Sequence, residues 1–296
     1  MKLRNAFSMI ELIFVIVIMG VIAKFGTEFL AESYKSFIFS KVNNQLQSDS
    51  AKSLEFIASR LQYRIKDSII ARKDKNNNKN DYKALAEADD SYQIIEWVSS
   101  DMDGYRGIGT PFWSGIIDLK HSDSTDTLLI SPETNTTAIN KLIEELSYGD
   151  SNIADSALYF IGANSDIDGY GWNGEAITTQ DKVIHPIKAD NNITYFLPRN
   201  GETDDTNSFS GIDVYEYYKL VWSANALKLD SNNSLILYYD YQPWNGESYN
   251  DGKSAIIVEN VSTFRAIAIG SIIKVQVCIE SKLVEEYSLC KEKTVF

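Results

Sequence analysis

The first 23 residues constrain the possible structure of this chain more than any other segment. A short basic leader, MKLRNA, is followed by an apolar run, FSMIELIFVIVIMGVIA, that carries one carboxylate, Glu11. A run of this composition predicts a membrane helix, and a carboxylate at the membrane centre costs about 2.5–3.5 kcal/mol on insertion scales. We therefore expect Glu11 to be functional and to have a cationic partner, supplied by another segment of the same kind.

Residues 6–11, AFSMIE, resemble the processing site of type IV pilins and type II secretion pseudopilins. The resemblance implies that prepilin peptidase cleaves between Ala6 and Phe7, that the new amine of Phe7 is methylated, and that Glu11 pairs with the N-terminus of a neighbouring subunit. It covers the leader and the helix behind it. The chain departs from the family at Ala6, where glycine is the common residue.

Two other kinds of N-terminal segment compete with this interpretation. A secretory signal peptide would have a small-residue cleavage site after its apolar core. No Ala-x-Ala follows Ala23, since the chain continues Lys24-Phe25-Gly26. An ordinary membrane anchor would not need Glu11. Both alternatives explain the segment less completely than a pilin-like helix does.

The charge distribution predicts the location of the chain and argues against one class of partner. The net charge is −13 and the pI is near 4.7. A general nucleic-acid surface needs basic patches, so we expect no nucleic-acid partner. Lys2 and Arg4 precede the apolar run and should stay in the cytoplasm. The prediction is a single-pass protein of the bacterial inner membrane with its C-terminal domain in the periplasm.

The segment after the apolar run has the periodicity of a helix. No glycine or proline occurs between Thr27 and Asp103, and apolar residues from Val42 to Ile69 recur at helical spacings. The pattern predicts one helix over residues 7–71, on the order of 100 Å long at 1.5 Å per residue. We divide the chain into a leader (1–6), a membrane and assembly helix (7–30), an amphipathic continuation (31–73) and a β-rich periplasmic domain (74–296).

Beyond residue 81 the pattern changes to short β-branched and aromatic runs separated by Gly, Asn, Asp and Ser. The predicted strands cover residues 94–98, 116–119, 127–130, 158–161, 214–222, 235–241, 255–258, 264–269 and 272–279. With few helices between them, they favour an antiparallel sheet. The predicted fold class is α+β, with the amphipathic end of the helix covering one face of that sheet.

One loop has the ligand spacing of a calcium site. Asn164, Asp166 and Asp168, with Gly169 and then Glu175, match an EF-hand loop. The flanking residues do not look helical, and Asp, Asn and Gly also form ordinary turns. Calcium at this loop and a solvated turn are both left open, and no cofactor is required. The family resemblance adds that some pseudopilins bind calcium in their soluble domain.

Cys278 and Cys290 are the only cysteines. An even number on the oxidising side of a membrane favours a disulfide, and some pilins close a C-terminal loop in this way. A tight turn near Ser281 and Lys282 would instead place Cys278 opposite Glu285, so that the bridge would need a bend. Both outcomes stay open at this point.

The sequence carries no recognisable catalytic motif. His121 and His185 are its only histidines, and neither has metalloprotease spacing. We therefore predict a non-enzymatic minor pseudopilin or minor pilin. Its expected partners are other pilins or pseudopilins, prepilin peptidase and an inner-membrane assembly platform. The alternative is a single-pass anchored domain that binds a ligand or catalyses a reaction in the periplasm.

Overall fold

The computed structural model of the protein describes residues 8–73, 80–120, 127–163, 166–199 and 208–296. The fold is α+β: a long N-terminal helix is followed by a domain of antiparallel strands. The helices are α1 (Met9–Leu61), α2 (Met102–Arg106) and α3 (Thr136–Ser147). The strands are β1 (Ile70–Arg72), β2 (Tyr82–Ala84), β3 (Ile94–Ser100), β4 (Leu129–Ile130), β5 (Ala157–Phe160), β6 (Ile184–Ala189), β7 (Tyr195–Pro198), β8 (Tyr218–Leu229), β9 (Leu235–Tyr241), β10 (Lys253–Val258), β11 (Val261–Ile269), β12 (Ile272–Glu280) and β13 (Ser288–Val295).

Helix α1 is shorter than the sequence predicted, because it ends at Leu61 and not near residue 71. The chain then leaves the helix to pair with the sheet: the Ile65 N–H donates to Val98 O (2.8 Å), and residues Ile70–Arg72 form β1. The guanidinium of Arg64 donates to Leu61 O (2.8 Å) and to Ser271 O (2.5 Å), which satisfies a carbonyl of the last helical turn. The predicted helical segment 31–73 is therefore wrong over its last 12 residues.

The large sheet has ten strands and is organised around β8. Its main path runs β2-β1-β3-β8-β5-β6-β7-β4, and β9 and β10 extend from the second half of β8. All of its strand pairs are antiparallel. β8 can hold two sets of partners along one edge because it is 12 residues long, with β5 on its first half and β9 on its second.

A second sheet, β11-β12-β13, has three strands and packs against α1. The apolar stripe of α1 lies between the two sheets, and Leu54, Ile57 and Leu61 are at most 4% exposed. The predicted burial of this stripe is confirmed. Ile65 and Ile69 are also buried, but they belong to the connection after α1 and not to a helical face.

The strand predictions were accurate for β3, β9 and β12 but not for the central strand β8, where residues 214–222 were predicted and Tyr218–Leu229 form the strand. Five strands were not predicted: β1, β2, β6, β7 and β13. Residues 235–241 form β9 as predicted. Segment 116–119 is not a strand, since only Ile116 forms an isolated bridge, to Tyr217. Helix α3 was not predicted, although its side chains Ile139 and Ile143 are fully buried at helical spacing.

Candidate functional site

The N-terminal part of α1 is the clearest candidate for a functional surface. Every residue from 8 to 37 is exposed, and the first buried side chain is Val42. Among the described residues, α1 is the one helix long and apolar enough to cross a membrane, with a mean hydropathy of 2.3 in its most apolar window. The chain thus has a protruding apolar rod attached to a folded domain.

Glu11 lies in the first turn of this rod and forms a capping box with Ser8. The backbone N–H and the hydroxyl of Ser8 donate to Glu11 Oε2 at 3.1 and 3.0 Å, and the N–H of Glu11 donates to Ser8 Oγ at 3.3 Å. The carboxylate therefore has two local donors and lies at the positive end of the helix. The spacing Ser-x-x-Glu at residues 8–11 is a sequence signal for this cap. This cap was not among the features predicted from the sequence.

Three of the sequence-predicted site residues lie outside the described residues. These are Ala6 and Phe7, at the predicted cleavage point, and Asn164, the first residue of the predicted calcium loop. His121 lies outside them as well. Cleavage and methylation at the N-terminus therefore stay predictions.

The remaining residues of the calcium loop do not converge. Asp166 accepts from the N–H of Asp168 (3.1 Å), and Asp168 accepts from the Tyr82 hydroxyl (2.7 Å). Glu175 instead accepts from Asn173 Nδ2 (3.0 Å), next to the bridge that joins Ala176 to Asn245. Within the described parts of the chain, no three Asp, Glu, His or Cys side chains are grouped as metal ligands. Calcium binding stays a prediction.

A cavity of about 470 Å³ lies beside this loop and is lined by Asp166, Asp168, Asp181 and His185. His185 is 5% exposed on β6, with its ring 4.7 Å from the ring of Phe160. Burial lowers the pKa of His185 to about 4, although its interactions with the Gln180 backbone and with Asp181 raise it in part. The imidazole is therefore neutral at pH 7.

His185 should make the fold sensitive to acid. Its pKa is 6.5 when unfolded and about 4 when folded. The folding stability is therefore unaffected by the titration of His185 above pH 6.5, where the imidazole is neutral in both states. Stability is lost as the pH falls towards 4, because the unfolded state takes up the proton more readily than the folded state does. Between pH 7 and 4.5 the wild type should lose about 2 kcal/mol more stability than His185→Gln. Urea unfolding at both pH values would measure this difference, and an equal loss in both proteins would contradict the assignment.

Asp101 contributes to the same pH range with the opposite sign. Its carboxylate caps α2 through the Gly104 N–H (3.0 Å) and accepts from Trp113 Nε1 (3.1 Å). Burial raises the pKa of Asp101 to about 6. Because the carboxyl pKa is raised in the folded state, the contribution of Asp101 to folding stability is largest at low pH and is lost as the pH rises. Because Asp101 is present in both proteins, the difference between the stability losses of the wild type and of His185→Gln gives the contribution of the histidine alone.

Cys278 and Cys290 form a disulfide. They are directly opposite each other in β12 and β13, because these strands are joined by a seven-residue loop and not by a tight turn. Ser281 N donates to Tyr287 O (2.8 Å) to close the loop, and the Tyr287 hydroxyl donates to Asn43 Oδ1 of α1 (2.7 Å). The pairing of Cys278 with Glu285, considered from the sequence, is wrong because of the length of this loop.

A buried ionic network in the large sheet had no sequence signal. Arg72 and Glu96 form an ion pair at 7% and 0% side-chain exposure. The Tyr241 hydroxyl donates to Glu96 Oε2 (2.9 Å), and Arg72 also donates to Trp172 O (2.9 Å). This network joins β1, β3 and β9 to the segment around Trp172, and its shielding from solvent indicates a structural role.

No protein-family model, curated protein or solved structure matches this chain.

Proposed function

We propose that this protein is a minor pseudopilin or minor pilin, a structural and non-catalytic subunit of a fibre related to type IV pili and type II secretion systems. The proposal combines the AFSMIE motif with the exposure of α1. Its N-terminal segment would be processed by prepilin peptidase at Phe7 and methylated. The folded domain formed by the end of α1 and the two sheets, which we call the head, would lie in the periplasm. The exposed N-terminal part of α1 would pack against the helices of sister subunits.

The observation that supports assembly most directly is the length of exposed apolar helix. About 20 residues are enough to cross the hydrocarbon of a bilayer, so a span that begins at Met9 ends near Glu28. Beyond that point Phe29, Tyr34 and Phe37 are still 62–72% exposed. Lipid would not cover these aromatic side chains, whereas neighbouring helices in a fibre would.

Glu11 has a local contact in addition to its proposed role in assembly. Its carboxylate accepts hydrogen bonds from Ser8 of its own chain and so also caps α1. Capping needs an acceptor at this position, whereas pairing with the amine of a neighbouring Phe7 needs a negative charge. In the proposed fibre, one carboxylate does both and fixes the register between subunits. The head is large for a repeating shaft, which favours a position at the fibre tip.

Glu11→Val should still insert and be cleaved but should lose recruitment into the fibre, because it has no charge and no acceptor. Glu11→Gln is the matched control, since glutamine keeps a capping box but is neutral. A photo-crosslinking residue at Phe29 would report contacts with sister subunits in the native membrane. If charge pairing drives assembly, both variants should lose at least roughly tenfold in crosslinked product, equivalent to 1.4 kcal/mol.

The outcomes separate the mechanisms. Loss in Glu11→Val alone would assign the residue to capping, and equal crosslinking in all three proteins would contradict an assembly role. Mass spectrometry of the mature N-terminus tests the proposed function itself. A methylated Phe7 supports the pilin-like subunit, and an intact Met1 supports an ordinary single-pass anchor for a binding or enzymatic domain.

A further inference from the structure

A cleft of about 650 Å³ lies between the large sheet and the free edge of β11. β11 pairs only with β12 within the described parts of the chain. Residues 264–267 of β11 all line the cleft. Neighbouring side chains of a strand point to opposite faces, so a cleft lined by four consecutive residues is bordered by the strand edge and not by one face.

The backbone of this edge is available for pairing. β11 and β12 are joined by the two-residue turn Gly270-Ser271, with Gly270 at φ +59° and Ile269 opposite Ile272. A two-residue hairpin turn makes its flanking residues a hydrogen-bonded pair, and bonding then alternates along the strand. Phe264, Ala266 and Ala268 therefore direct their N–H and C=O groups away from β12. No hydrogen bond joins these backbone groups to another described residue.

The floor of the cleft is apolar. Ala71, Leu85 and Ile95 form it and are at most 5% exposed, and the side chain of Phe264 packs against the same core. A strand bound along β11 would direct every second side chain towards this floor. The volume is in the range of sites that enclose a small ligand or a short peptide segment.

The rim of the cleft is predominantly acidic. Asp89, Asp90 and Asp230 line it together with one cation, Arg265, which lies 3.9 Å from Asp90. Lys73 and Lys83 lie over the ring of Tyr92 on one side of the cleft, and Lys73 also pairs with Asp81 at 3.6 Å. The lining residues thus carry three carboxylates and one guanidinium, which favours a positively charged ligand.

We propose that this cleft binds an extended basic segment of a partner protein, which adds as a strand to the free edge of β11. Backbone pairing with β11 supplies the affinity, apolar side chains fill the floor, and alternate basic side chains meet the acidic rim. Unpaired edge strands are templates for strand addition unless they are protected. β11 contains no proline, and its bulge between Val261 and Thr263 lies outside the residues that line the cleft. The 3₁₀ turn Leu85–Glu87 packs beside β11 but makes no backbone hydrogen bond to it. The site lies on the folded domain and does not depend on the proposed role of α1.

The test uses the full chain in detergent and a fluorescent peptide of alternating lysine and valine. Fluorescence anisotropy should show saturable binding, and the equivalent glutamate–valine peptide should bind roughly tenfold more weakly or not at all. A lysine–valine peptide N-methylated at alternate residues has the same charge but lacks the donors for strand pairing. Its affinity should also be lower by roughly tenfold or more.

Two variants locate the site. Ala266→Pro removes a single N–H from the free edge, where proline is tolerated, and should weaken binding by roughly tenfold. The pair Asp89→Asn and Asp90→Asn should weaken it severalfold. The matched control is Glu285→Gln with Glu286→Gln, which removes two exposed charges from the loop between β12 and β13 and should leave binding unchanged.

Absence of binding by the lysine–valine peptide up to about 1 mM would overturn the proposal. Equal binding of the N-methylated peptide would also overturn it, since charge alone would then explain the affinity. If Ala266→Pro lowers the melting temperature strongly, the aspartate pair and the N-methylated peptide still decide the question with folded protein. None of these results depends on whether the N-terminus is processed.

Discussion

Leu61→Asp is expected to remove a large fraction of the folding stability of this protein's head. Leu61 is the last residue of α1, is 1% exposed and lies in the core between the two sheets. An aspartate there would bury a carboxylate without a partner and remove an apolar side chain, together costing about 4 kcal/mol or more. Domains of this kind are stable by only about 5–15 kcal/mol.

Intrinsic tryptophan fluorescence during urea titration would measure this effect. All five tryptophans lie beyond α1, so their signal reports the unfolding of the head. Ser59→Asp is the matched control, since it adds the same charge at an exposed position two residues earlier. It should change stability by less than about 1 kcal/mol. An unchanged midpoint for Leu61→Asp would mean that α1 does not pack between the sheets.

Arg72→Met is the second substitution expected to have a large effect, at about 3–5 kcal/mol. It leaves the fully buried carboxylate of Glu96 with a hydrogen bond from Tyr241 but without its cation. Removal of one partner of a buried pair is costly because the remaining charge is still shielded from water. Replacement of both partners by apolar residues removes that charge as well.

The double variant Arg72→Met with Glu96→Leu should therefore recover a large part of the lost stability. A double-mutant cycle in urea would give the coupling energy between the two side chains. Lys141→Met, in the exposed pair of Lys141 and Glu145, is the control and should cost less than about 1 kcal/mol. Additive effects of the two core substitutions would show that the ion pair contributes nothing specific.

The candidate assembly surface could be predicted from the sequence to a large extent. The apolar run, Glu11 and the absence of glycine and proline between Thr27 and Asp103 predicted a long N-terminal helix, and α1 has that form. Its C-terminal end could not be predicted by periodicity. Ile65 and Ile69 are spaced as on a helix but are buried in a different backbone conformation, because β3 provides hydrogen-bond partners to this segment.

Local patterns alone determined the class of the fold. A long N-terminal segment with no glycine or proline after Gly26, followed by a series of β-branched runs, predicts α+β, because backbone propensity and side-chain periodicity depend on near neighbours. Only the tertiary structure decided which strands are edges, that Cys278 faces Cys290, and that Arg72 meets Glu96. These features join residues that are far apart in the chain, or depend on the length of a loop. In addition, the alternation of apolar and polar residues along a strand is the same at the centre of a sheet as at its edge. The cleft beside β11 could therefore be recognised only after the sheets were assembled.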